Sequence, residues 1–426
     1  MDSFTLIIVA SAVIILSYFF NILAKRTNIP SVLMLIGLGL LLQQFTPEGS
    51  LTSKRLMPVL EILGNVGLIM IVLEAALDLE LKREKWPIIW RSLVVAFLAL
   101  IGSSFVCAFV IHYFLIDDQF TALVYAIPLS IMSSAIIIPS VTSLEEDKKE
   151  FMVYESTFSD ILGIMFFYFL VGNAGVNDTQ AVVTDVVGNI FITILLSVLI
   201  SYILVLVFQK IRTQVKLFLL IAVLTMLYAI GKKFHLSSLL IILVFGLVLN
   251  NSKIFFRGIF DKWVDKPAVK EILNNFHLIT IETAFVVRTF FFVIFGMSIV
   301  LGALLDLKFA LISALIVAGL YVVRYAMLKI FVGKDIQPQL YIAPRGLITI
   351  LLFYAIPTDY QDPEFSESIL LFAILATSII MSIALVRDSK NRNAVIVPEN
   401  LDFSDEIDEE AGDLNDNSQQ EPRMNE

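Results

Sequence analysis

Thirteen long apolar stretches constrain this chain before anything else does. They run over 4–23, 29–46, 56–77, 91–114, 121–142, 150–172, 182–208, 216–231, 236–250, 278–302, 308–331, 339–357 and 366–386. Stretches near 20 residues match the hydrocarbon thickness of a bilayer. Inside hydrocarbon every backbone N–H and C=O must be paired within the protein, which leaves only helices and closed barrels. Stretches this long and this continuous predict helices. The expected fold class is an all-α polytopic membrane protein of about 13 transmembrane helices. Composition agrees, because 58% of residues are hydrophobic and only 16% charged, where soluble domains carry about a quarter.

The net charge of −9 misdescribes the membrane part. Residues 399–426 hold eleven acidic side chains and one basic one, Arg423, so the remainder is near +1. That stretch predicts a disordered acidic tail (387–426) that is either regulatory, with a protein partner, or only solvating. The chain has one cysteine, Cys107, and three scattered histidines, His112, His235 and His277, which argues against disulfides, zinc sites and thiol chemistry. No glycine-rich phosphate loop is present. We expect no cofactor, no enzymatic activity and no nucleic-acid partner. Any transport must then draw on ion gradients.

Charge asymmetry sets the topology. Asp2, with no Lys or Arg, precedes a first span too long for a cleavable signal, and Lys25-Arg26 follow it. That predicts an outside N-terminus and a cytoplasmic C-terminus in the inner membrane of a bacterium. Under this topology the outer loops hold only Lys54, Arg55, Lys232, Lys233 and Lys308. The loop at 253–275 mixes five basic residues with Phe255, Phe256, Ile259, Phe260 and Trp263, and reads as an amphipathic helix on the inner surface.

Two spans are poor helices at matching places. Tyr125-Ala-Ile-Pro-Leu-Ser-Ile-Met-Ser-Ser-Ala-Ile-Ile-Ile-Pro139 and Tyr341-Ile-Ala-Pro-Arg-Gly-Leu-Ile-Thr-Ile350, the latter continuing to Pro357, carry prolines around small or polar patches. Spans 4–6 and 11–13 would be inverted repeats, and broken helices in corresponding positions point to an ion site.

Few charges lie inside spans: Glu61, Glu74, Glu155, Asp160, Glu282, Arg288, Arg324 and Arg345. Such groups are costly in hydrocarbon and mark function. In Tyr154-Glu-Ser-Thr-Phe-Ser-Asp-Ile-Leu-Gly163, Ser156, Ser159 and Asp160 share one helical face bordered by Glu155. Oxygen ligands of this kind suit a hard monovalent cation or a proton. Glu155 lies at the depth of Arg324 and Arg345 and can pair, whereas Asp160 sits near mid-membrane, beyond the level of both. A buried carboxylate without a counter-charge is stable only when a proton or a cation neutralises it. Asp160 is thus the group able to hold either. Arg288 has two expected partners, Asp160 or Glu155 on one hand and Glu282 on the other.

At this point the motifs resemble the monovalent cation:proton antiporter superfamily, and most closely its sodium/proton exchanger branch. Glu155-Ser-Thr-Phe-Ser-Asp160 matches a helix motif E-S-x-x-N-D; Leu73-Glu-Ala-Ala-Leu77 loosely matches the end of the third span, and Asn28-Ile-Pro-Ser-Val32 the start of the second. Val323-Arg-Tyr325 and Pro344-Arg-Gly-Leu347 match the arginine motifs of spans 11 and 12. The resemblance covers residues 15–386. It implies that Asp160 binds the ion and proton, with Ser156, Ser159, Ser133, Ser134 and Glu74 as further cation contacts. It implies a structural ion pair between Glu155 and Arg324, with Arg345 and Arg288 as supporting charges. The implied fold has inverted repeats with crossed broken helices. Core helices would span 91–172 and 308–386, interface helices 4–77 and 216–302, and a linker helix 182–208, within a 1–386 membrane domain that dimerises in lipid.

Two positions depart from the pattern. Ser159 replaces an asparagine, and Ser133-Ser-Ala135 replaces threonine-aspartate-proline, so one carboxylate is missing. A serine pair there resembles potassium-efflux branches. The expectation is secondary antiport of Na⁺, K⁺ or Li⁺ against H⁺, electroneutral because one carboxylate carries the exchange. Rivals are an ion-coupled symporter of a small organic anion, an intramembrane hydrolase using Glu155 and Asp160, and a membrane channel or sensor.

Overall fold

The structure, a computed structural model, describes residues 3–27, 29–45, 66–67, 69–79, 81–172, 179–210, 216–233, 238–256, 265–298 and 306–396. The acidic stretch 399–426, Glu61 and the aromatic-basic segment 257–264 lie outside them. The described residues are helical with no strand. In chain order the helices are α1 (Ser3–Thr27), α2 (Ser31–Gln44), α3 (69–78), α4 (Trp86–Phe114), α5 (Gln119–Ser130), α6 (Ser134–Ser140) and α7 (Glu146–Gly172). There follow α8 (Thr179–Phe208), α9 (Lys216–Lys233), α10 (Ser238–Asn250), the single turn α11 (Ser252–Phe255), α12 (Lys266–Ser298), α13 (Leu307–Phe331), α14 (Leu347–Tyr354) and α15 (Glu367–Ile396). Among the described residues seven helical segments are long and apolar enough to cross a membrane, and four shorter apolar helices accompany them. The protein is an integral membrane protein. Exposed Phe97, Phe105, Phe109 and Tyr113 on α4, and Leu307, Leu311, Leu315 and Val322 on α13, make the apolar outer faces that such a helix offers to lipid.

Both breaks fall within the stretches read as poor helices, the first of them between Pro128 and Pro139. The fifth span is two helices: α5, containing Pro128, ends at Ser130, and α6 begins at Ser134 after an extended Ile131 (φ −77°, ψ 130°). The twelfth span is likewise interrupted. A single 3₁₀ turn, Gln339–Tyr341, leads into non-helical residues 342–346, and α14 starts at Leu347.

One element differs from expectation. Residues 266–275, read as part of a separate surface helix, belong to the first turns of α12, which runs unbroken to Ser298. The reason is local: Pro267 sits in the first turn, where its missing N–H costs nothing, and no glycine or proline follows before Gly296.

Around the two broken spans, α4 packs on α5, α7 and α13. Asp118 caps α5, accepting from the Thr121 amide and hydroxyl, each at 2.7 Å. These bonds hold its carboxyl below the usual carboxylate range. Elsewhere α12 lies along α2, and Ser17 on α1 meets Thr289 on α12 at 2.6 Å.

Candidate ion-binding site

The two interruptions cross. The amide of Ser133, in the break between α5 and α6, donates to the carbonyl of Pro344 at 2.9 Å. Gly346 permits this approach: a Cβ there would lie 2.6 Å from Ser133 Oγ and 2.9 Å from both Ser133 Cβ and Ile136 Cδ1. Helix ends at such a crossing leave backbone groups unpaired in a low-dielectric interior, so side chains must meet them.

α7 does much of that. Ser159 Oγ accepts from the amide of Met132 at 3.0 Å, and Asp160 Oδ2 accepts from the amide of Ser134 at 3.2 Å. Gly163, one turn on, leaves room for Ile131, whose side chain occupies the space of the missing Cβ. Asp160 is central in the 27-residue α7, about 20 Å from either end at 1.5 Å per residue. It is 3% exposed, and its Oδ1 is buried with no hydrogen-bond partner among the described residues. Ser156 is fully buried, its hydroxyl donating to the Val153 carbonyl at 3.2 Å. The face carrying these groups is enclosed by protein over most of its circumference, since Tyr154, Thr157, Ile161 and Ile164 are buried as well.

Glu155, at the edge of this face, has a partner of its own. Its carboxylate meets Arg324 of α13 through two bonds, Nη1 to Oε1 at 2.8 Å and Nη2 to Oε2 at 3.1 Å. Arg324 also donates to the carbonyls of Gln339, at 2.8 and 3.1 Å, and of Leu340, at 3.1 Å. Arg324 thus joins α7 to the turn that precedes the second break. Arg345 serves the first break: Nε donates to the Leu129 carbonyl at 2.6 Å and Nη1 to the Ala343 carbonyl at 2.8 Å. Its guanidinium lies where α5 ends, at the negative pole of that helix. Its own amide donates to Thr377 Oγ1 of α15 at 3.0 Å.

Glu74 and Arg288 stand apart from that cluster. Arg288 of α12 donates to Glu74 of α3 at 3.2 Å, so neither partner expected from the sequence is the one it meets. Glu282 is exposed; six residues of helix turn it about 240° from Arg288, onto another face. Glu155 is already taken by Arg324, and Asp160 shows no ion pair among the described residues. One turn beyond Glu74, Asp78 meets His277 Nε2 at 2.8 Å. Glu74, Asp78 and Arg288 line a cavity of about 540 Å³ with Ser17, Thr289 and Ser134. Ser134 connects it to Asp160, since its amide is the one bonded to Oδ2.

Sequence reading missed Thr377, Gln339 and the Asp78–His277 pair. Asp78 was the most accessible of these, being four residues after Glu74 and hence on its face.

Two crossed, interrupted helices around a buried carboxylate define a membrane transporter of the inverted-repeat type. The chain matches the model of the transmembrane sodium/hydrogen exchanger family over residues 9–387, and it belongs to that family. It is therefore a transporter family member rather than an enzyme. No curated protein resembles it closely enough in sequence to count as a match. Its fold is similar to that of the sodium proton antiporter MjNhaP1 from Methanocaldococcus jannaschii at pH 8. The two share 18% identity over 91% of this chain and 96% of that one, with a TM-score of 0.67. A second structure of that antiporter, from electron microscopy, gives 18% identity over 94% and 99%, with a TM-score of 0.66.

Proposed function

We propose that this chain is a secondary active antiporter exchanging a monovalent cation, Na⁺ or else K⁺ or Li⁺, for protons. The observation that carries the reading is Asp160: a mid-membrane carboxylate, 3% exposed, with one oxygen on the Ser134 amide and the other unpartnered among the described residues. Such a group is stable when neutralised, and a proton and a small cation are alternative ways to do it. Family membership supports the same reading.

In this scheme the cation passes Glu74 in the cavity wall and binds at Asp160 with oxygens from Ser156, Ser159, Ser133 and Ser134, and a proton replaces it as the core moves to face the opposite side. Glu155 and Arg324 hold each other and the second break, and so stay out of the exchange. Because Ser133 and Ser134 stand where a second carboxylate would be, one site charge changes hands per cycle and the exchange is electroneutral. The protein works as a homodimer in a bacterial inner membrane, N-terminus outside and acidic tail in the cytoplasm, the tail open to a regulatory partner.

The test is cation-induced dissipation of a pH gradient in liposomes containing purified protein, with Na⁺, K⁺ and Li⁺ in turn. Asp160→Asn is expected to abolish exchange for every cation. Wild-type-like exchange by the variant would refute the assignment.

A further inference from the structure

The two arginine–glutamate pairs of this protein are built differently. Glu155 is fully buried and Arg324 nearly so; two bonds join them and backbone carbonyls fix the rest of the guanidinium. Glu74 and Arg288 share a single bond, Nη2 to Oε1 at 3.2 Å, and their side chains are 16% and 20% exposed. Both line the cavity that reaches Ser134 beside Asp160. The first pair is locked; the second stands in the wall of the route to the site. Its neighbour Asp78 is likewise engaged, by His277 at 2.8 Å. A cation entering this cavity therefore meets acids that already have partners.

We propose that Arg288 is a tethered competitor for the transported cation, occupying the Glu74 carboxylate and thereby setting how much cation is needed to load the site. The proposal rests on the antiport reading above and adds an affinity-setting residue to it. Loading requires the cation to displace a guanidinium that cannot leave. Once displaced, that guanidinium puts a positive charge back into the cavity and favours release. A single, partly buried contact is exchangeable in a way that the Arg324 pair is not. If the Glu74–Arg288 pair were only a brace between α3 and α12, removing it would loosen the protein and weaken cation use. A competitor gives the opposite sign.

The experiment measures the half-saturating Na⁺ concentration at one fixed pH for full-length wild type, R288Q, R288K, E74Q and E74Q/R288Q in liposomes. R288Q is expected to lower it about fivefold, the effect of one unit charge at about 4 Å in water-like dielectric. R288K should stay within about twofold of wild type, because it keeps the charge. E74Q should raise the value, and the double variant should lie below E74Q. A folded R288Q at or above the wild-type value overturns the proposal. If R288Q does not elute as a monodisperse species, the double variant decides, and a value not below E74Q overturns it equally. Absence of exchange by the wild type would overturn the antiport reading itself, which is a different result from an unchanged R288Q.

Discussion

Replacing Arg324 with leucine should be among the most damaging single changes in this protein, and its size can be worked from the contacts. The guanidinium supplies both bonds to a Glu155 that is 0% exposed, and it serves the carbonyls of Gln339 and Leu340. Deleting one partner of a buried ion pair leaves an uncompensated charge and costs about 3–5 kcal/mol. Each carbonyl left without a donor adds about 1–3 kcal/mol. Folded proteins are stable by only about 5–15 kcal/mol, so R324L approaches the whole of it. Adding Glu155→Gln to the same chain removes the stranded charge. What remains is the loss at the two carbonyls, about 2–6 kcal/mol, and the imperfect pairing of one amide. The double variant should therefore be more stable than the single one. The assay is stepwise heating of detergent-solubilised protein, followed by quantifying the monodisperse fraction on size exclusion. The expected order of heat resistance is wild type, then E155Q/R324L, then R324L. An R324L as resistant as the double variant would refute the view that Glu155 is charged and held by Arg324.

Two further variants test the scaffold around the breaks. Ser159→Ala leaves the Met132 amide without its acceptor, at about 1–3 kcal/mol. Heat resistance should fall in the size-exclusion assay, while cation exchange persists, unlike in Asp160→Asn. Asp118→Ala removes the cap of α5, worth about 1 kcal/mol. Its carboxyl is held below the usual range by Thr121, so the folded value lies below the unfolded one of about 3.9. The cap's contribution is then fully present above that unfolded value and is lost as pH falls through the folded one. The heat-resistance gap between wild type and D118A should be constant near neutrality and close only in strong acid.

What could be read in advance was mostly local. The breaks were legible because Pro128, Pro139, Pro344 and Pro357 interrupt apolar stretches at corresponding positions, and proline's effect on a helix needs no tertiary context. Glu155, Asp160 and their helical register followed from periodicity and from the cost of charge in hydrocarbon. Arg288 was read wrongly because its partner, Glu74, is 214 residues away on another helix, and depth alone offers several carboxylates. The extra turns of α12 were missed for a different reason. Lys266 and Lys270 continue the basic pattern of the preceding segment, and only the lack of a glycine or proline between Pro267 and Gly296 joins these turns to the spanning helix. Thr377 was out of reach, since a threonine in an apolar helix usually bonds its own turn, as this one also does with Ala373 at 2.7 Å.

The crossing of the two interruptions also bears on how the protein is made. The bond from Ser133 to Pro344 and the bond from Arg345 to Leu129 each link residues more than 200 positions apart, and Thr377 adds the last helix. At about 5–20 residues per second, synthesis leaves many seconds between the emergence of the first break and that of its partner. During that interval the ends of α5 and α6 and the Glu155 carboxylate enter the bilayer region without the groups that later satisfy them. The candidate site is thus a product of late assembly. A nascent chain stopped short of α15 should be retained by insertion chaperones or degraded, however complete its first seven helices are.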